Sequence, residues 1–240
     1  MSLDLAAFRA ELEEEFAWRV EELIFFQNQC ERLDSEVQKE QFRRALVLLL
    51  YSNFEGYCKF ALSLYVGAVN GEGVQCKDAD YSIVAATLSD VFSTLRNGSK
   101  KAQEFRNDAP DDAKLHRFAR DREFVERAVE IMARKVSIPE SAVDTESNLN
   151  PTVLRKNLYR LGLPHEQFAF MDGDINQLLN LRNKIAHGES KQGIPEKLYG
   201  QLRDAAFRVM NGVSVGITQA CSEKRYLLSS APLGEQRLVE

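Results

Sequence analysis

Apolar residues recur at three- and four-residue steps from near the start of the chain, at Leu5, Phe8, Leu12, Phe16, Val20, Leu23 and Cys30. That period predicts an amphipathic helix over about 3–33, with Glu11, Glu13 and Glu14 on its outer face. Asp34 and Ser35 supply cap residues for a second helix over about 36–69, which Asn70-Gly71 ends. The middle of this helix, Leu46 to Leu50 and on to Phe54 and Tyr57, is apolar nearly all round. Such a helix lies at the centre of a bundle, or faces both a core and a partner. One polar line interrupts it, where Tyr51, Glu55 and Lys59 stack at i, i+4 and i+8. Glu55 stands out, because a carboxylate amid so much apolar surface needs a partner.

Gly71 to Asp80 reads as a loop, and 82–95 mixes β-branched content with a helical tail. Arg96 to Lys101 is a basic turn that could meet RNA, although a solvated loop is the default. Helical rhythm returns over 111–135, where alternating Arg and Glu mark a solvated face. His116 and His165 are expected to face solvent or bond locally. After an irregular stretch over 137–150, Asn150-Pro151 is an N-cap followed by proline at the first helical position, and Gly162 stops that short helix. Asp172 and Asp174 are expected to cap the next helix, which carries Ile175, Leu178, Leu179, Ile185 and Ala186 and stops at Gly188. Ile194-Pro195 opens a last helix over about 196–228. Nearly every element is helical, so the expected fold is all-α, an antiparallel helical bundle.

Composition narrows the function classes. The chain has 240 residues, enough to bury a substantial core without disulfides or metals. Its net charge of −5 argues against an even coat of cations for nucleic acid, so any such contact must come from a local cluster or from two subunits pooling one. Cys30, Cys58, Cys76 and Cys221 are scattered, with no pair spaced to ligate zinc. Residues 1–15 are acidic and amphipathic rather than signal-like, and no apolar run approaches the ~20 residues of a membrane span. A cytoplasmic protein with buried, reduced thiols is expected, with no cofactor and no membrane partner.

The chemistry concentrates at Arg182-Asn183-Lys184-Ile185-Ala186-His187-Gly188. Asn183 and His187 are four residues apart and share a helical face, and Arg182 can swing toward it. Gly188 places His187 at the helix end, where the dipole favours an imidazolium. Three groups that can contact a phosphate converge there. They suit attack of an RNA 2′-hydroxyl on its neighbouring phosphorus. Histidine can exchange that proton near neutral pH. Arginine can neutralise the charge building on the non-bridging oxygens. The nucleophile is part of the substrate, so the reaction needs no metal. One histidine cannot ideally serve as both acid and base; a two-fold homodimer would bring two copies to one cleft. Spacing alone is weak, because Arg160 and His165 repeat it across Gly162 and Pro164, which break the helix.

Arg-Asn-x3-His at a helix end in an all-α chain resembles the Arg-x4–6-His signature of the HEPN superfamily. Leu50 to Lys59 is similar to the buried second helix of the branch found in prokaryotic toxin–antitoxin and phage-defence loci. Asn148-Leu149 through Leu163, and then Leu181 to Gly188, are similar to that branch's C-terminal half. The resemblance covers about 3–70 and 148–228 of a single HEPN-like domain, with 71–147 as an inserted helical and loop elaboration. It implies a homodimeric, metal-independent endoribonuclease acting as a toxin or defence effector, with RNA as substrate and an antitoxin as possible partner. Arg182 and His187 carry over as catalytic residues and Asn183 as the polar residue beside the arginine. Glu55 matches an acidic position able to hold Arg182. Some toxins of the superfamily have a tyrosine two residues after the histidine that a partner nucleotidyltransferase modifies; Glu189 stands there, so that route of neutralisation should not operate.

Plainer readings remain beside these. Arg182, Asn183 and His187 could be a helix C-cap with a surface ion pair, Glu55 and Lys59 an i,i+4 pair, and Tyr51 core. The competing function is a non-catalytic helical module that binds a nucleotide, an RNA or a partner protein.

Overall fold

Residues 3–97, 101 and 113–228 are described by the computed structural model of the chain. Among them the regular elements are helical: α1 (Leu5–Glu31), α2 (Glu36–Gly71), α3 (Tyr81–Thr87), α4 (Ser89–Arg96), α5 (Ala113–Glu126), α6 (Ala128–Met132), α7 (Pro151–Arg160), α8 (Asp172–Ala186) and α9 (Glu196–Ser222). Two isolated β-bridges, Gln75 with Lys135 and Ala79 with Leu227, tie loops together. The all-α bundle expected from the hydrophobic period is the fold found.

The unbroken apolar stretch of α2 explains its place. Its 36 residues make a rod about 54 Å long, and α1, α8 and α9 all pack on it. Leu50, Phe54, Tyr57, Cys58 and Ala61 have no accessible surface left. Asn53 bonds Glu22, and the Leu3 amide donates to Glu72, so α1 runs antiparallel to α2. Gln27 reaches Tyr199, which sets α1 antiparallel to α9 as well. α2 and α9 run in the same direction, since the Ile194 amide donates to Glu40, Tyr57 bonds Ser214 and Tyr226 bonds Glu72 in ascending order along both helices. The segment between them makes that return possible. It contributes Cys76, Ile83, Leu88, Ile131, Val136 and Ile138 to the same hydrophobic cluster. All four cysteines are buried and unpaired with one another. No helix among the described residues is long and apolar enough to cross a membrane.

Several local expectations are corrected. Residues 82–95, ambiguous in pattern, form two short helices that meet at Leu88. Asp172 and Asp174 do not cap α8, whose N-cap is Met171; they spend their carboxylates on Arg155 and Gln201, anchoring α8 to α7 and α9. Ser35 is the N-cap of α2 by position, but its hydroxyl makes no capping bond. His116 does not face solvent: it and Arg120 are buried on the inner side of α5, while Arg122 and Arg127 carry the exposed ion pairs. α9 ends at Ser222 rather than near 228, because the chain turns at Lys224 (φ +50°) to bury Tyr226. Of the basic turn, Gly98 to Lys100 lie outside the described residues.

Candidate active site

The site forms where the C-terminal end of α8 crosses the middle of α2. Asn150 starts α7 as expected, accepting from the Val153 amide at 2.9 Å, and Gly162 ends it at φ +67°. These two stops fix where the chain enters and leaves α7. Just before it, Glu146 and Ser147 adopt positive φ angles of 50° and 59°, and the Asn148 amide closes a tight turn onto the Thr145 carbonyl at 2.9 Å. Side chains seldom accept that left-handed backbone; here the Asp144 carboxylate supports it by accepting from the Glu146 amide at 2.8 Å. The turn aims Asn148 at α8.

Arg182 is gripped from four sides. Its Nη1 donates to Asn148 Oδ1 at 3.0 Å and to Asn183 Oδ1 at 2.7 Å. Its Nη2 lies 3.8 Å from Glu55 Oε2. The guanidinium carbon sits 4.4 Å from the centre of the Tyr51 ring, within the range of a cation–π contact. The side chain nevertheless keeps 27% of its surface exposed, so one edge of a rigidly oriented cation faces outward. Glu55 thus has the partner its apolar surroundings demanded. Lys59 is exposed and makes no ion pair with Glu55, which turns to the arginine instead.

Tyr51 is fully buried beneath this cation. Burial pushes its phenol well above the ordinary value, and the charge of Glu55 adds to that while Arg182 opposes it. The ring therefore stays neutral through the physiological range; it is a platform, not a base.

His187 is the C-cap of α8 and is exposed. Its amide donates to the Asn183 carbonyl at 2.9 Å, while its imidazole has no hydrogen-bond or ion-pair partner among the described residues. Asn183 serves Arg182 rather than orienting the imidazole. The backbone beyond is a Schellman turn: Gly188 at φ +70° donates to the Ile185 carbonyl at 3.1 Å, and Glu189 to that of Lys184 at 2.8 Å. This turn fixes the direction from which His187 leaves the helix. Replacing Gly188 with alanine meets no atom within 4 Å, so its cost is conformational, about 1–2 kcal/mol. Thermal unfolding of Gly188→Ala should show that loss; an unchanged melting temperature would mean that the turn relaxes without penalty.

The structure thus brings together Arg182, Asn183, Glu55 and Tyr51, sets His187 just beyond them at the surface, and leaves Lys59 outside. Sequence reasoning missed Asn148 as a site residue. Its signal was faint, one asparagine two residues before the Asn150-Pro151 cap. The decoy stays apart: His165 packs edge-on against Tyr159 at 5.2 Å, beyond the break at Gly162. Among the described residues no group of three or more His, Cys, Asp or Glu side chains could hold a metal ion.

The HEPN_MAE_28990-like HEPN family model matches residues 8–226, running through the middle segment as well as the helices on either side of it. No curated protein and no solved structure matches the chain.

Proposed function

The chain belongs to the HEPN_MAE_28990-like HEPN family, and on that premise we propose that it is a metal-independent endoribonuclease of the toxin or phage-defence kind, acting as a homodimer. The observation that carries this reading is the contrast between two neighbours at the end of α8: Arg182 is locked in place by Asn148, Asn183, Glu55 and Tyr51, while the His187 imidazole is exposed and has no partner among the described residues. A fixed guanidinium is preorganised to stabilise charge on the non-bridging phosphate oxygens. A solvent-facing imidazole can take the proton from a 2′-hydroxyl or give one to the departing 5′-oxygen. The 2′-oxygen forms a bond to phosphorus as the bond to the 5′-oxygen breaks, leaving a 2′,3′-cyclic phosphate and a 5′-hydroxyl. Two histidines, one from each chain, would divide the acid and base roles.

The test is cleavage of a defined single-stranded RNA by the purified chain in excess EDTA, with the ends identified by mass spectrometry. Cyclic phosphate ends and undiminished activity in chelator are expected. Activity abolished by EDTA, or ends bearing a 5′-phosphate, would overturn the reading.

One observation favours a non-catalytic binding module instead. Arg182 directs Nη1 to two protein acceptors and Nη2 toward a carboxylate, as a structural arginine would. That module would bind RNA, nucleotide or protein saturably and cut nothing.

A further inference from the structure

A net charge of −5 requires any RNA-binding surface to be a local concentration of cations, and one lies away from Arg182. Two adjoining clefts run between α3 and α4, the segment after α6, and the C-terminal end of α7. They hold about 750 and 570 Å³ and share Ser89, Pro139 and Ser141 in their walls, so they form one groove. Tyr81 and Tyr159 line its first half with 58% and 65% of their surface exposed. Arg96 and Arg160 line the same half, and Arg134 and Lys135 continue the line in the second. Among the described residues none of these four cations is held in an ion pair, whereas Arg122 on nearby α5 and Arg127 at the N-cap of α6 are paired with glutamates. Two carboxylates face the groove, Asp90 and Asp144, and one oxygen of Asp144 already accepts the Glu146 amide. Cations remain in excess.

Exposed aromatic rings beside guanidiniums that lack counterions are what unpaired nucleic acid uses: bases stack on the rings and phosphates meet the cations. A duplex keeps its bases stacked on one another and gains nothing from the tyrosines. We infer that this groove is a subsite for single-stranded RNA, holding the strand to one side of the bond to be cut. Its position supports that use. Asp144 on the groove wall begins the turn that ends at Asn148, the residue bonded to Arg182. Four residues of chain can span at most about 14 Å, a reach of a few nucleotides. The purpose of the subsite rests on the ribonuclease reading, but its binding does not.

The experiment follows binding of a fluorescent, unstructured RNA of about twelve nucleotides to the full chain carrying His187→Ala. Adding Tyr81→Ala with Tyr159→Ala should raise Kd roughly tenfold or more. Arg96→Glu with Arg160→Glu should weaken binding and flatten its dependence on salt, while Tyr81→Phe with Tyr159→Phe should retain affinity. All these positions are exposed, and an unchanged melting temperature checks the fold. In the chain with His187 intact, the tyrosine-to-alanine pair should slow cleavage of the longer RNA and leave a dinucleotide, too short to reach the groove, cut at the same rate. Unaltered Kd in both the alanine and the glutamate pairs, or no binding by the parent, overturns the subsite. Absence of cleavage by every chain, with affinity still lost in the groove variants, overturns the ribonuclease reading and leaves the subsite standing.

Discussion

Arg182→Lys should lower RNA cleavage by about 10²-fold, nearly as far as Arg182→Ala, although it keeps the charge. The reason lies in how the side chain is held. One Nη donates to Asn148 and Asn183 while the other faces Glu55, and the flat guanidinium lies over Tyr51. An ammonium is a point donor without a plane. It cannot satisfy two amide oxygens, a carboxylate and a ring face in that arrangement, and it would settle against Glu55, away from the substrate. His187→Ala should cost more, roughly 10²- to 10⁴-fold in kcat, and for a different reason: it removes a proton carrier and breaks no contact of the imidazole, which has no hydrogen-bond or ion-pair partner among the described residues. Single-turnover rates and melting temperatures separate the two cases. Arg182→Lys should also lower the melting temperature, whereas His187→Ala should leave both stability and RNA affinity near those of the parent. Retention of more than half the parental rate by both variants would remove these residues from the chemistry.

That contrast also marks what the sequence discloses and what it hides. Whatever belongs to a single helix is legible. The period of α2 foretold its burial, Asn150-Pro151 and Gly162 bounded α7, and Gly188 marked the end of α8, because caps and faces are properties of neighbours along the chain. The pairing of Glu55 with Arg182 was half legible: a carboxylate in apolar surroundings announces a need without saying who meets it. What was hidden depends on approach between elements. Asn148 reaches Arg182 from a strained turn 34 residues earlier, with no periodic trace. Asp172 and Asp174 look like caps, yet tertiary partners outcompeted the local amides. His116 and Arg120 sit in a stretch whose composition reads as solvated, but only one side of α5 faces water. Asn183 shares a helical face with His187 and still turns to the adjacent arginine, because a charged donor 2.7 Å away is the stronger attraction.

Mixing chains should reveal whether the site is shared. When wild-type and His187→Ala chains are co-refolded at one to nine, activity should fall to about one hundredth of that of an all-wild-type sample, rather than to about one tenth. The square arises because a two-fold interface would place both copies of α8's end at one cleft, and only dimers with two intact chains would carry an acid and a base. His187 suits this arrangement. It is exposed, it leaves α8 at a fixed angle from the Gly188 turn, and its imidazole has no partner among the described residues. Lys184 and Lys191 are exposed beside it, so two such ends would pool their cations at the cleft. A linear dependence on the wild-type fraction would mean that each chain acts alone, and a second proton carrier would then have to come from the same chain. The described surface near His187 offers one poor substitute, the exposed carboxylate of Glu189. Two imidazoles facing one cleft divide the acid and base roles more evenly than an imidazole and that carboxylate could, and for that reason the squared dependence is the expected result.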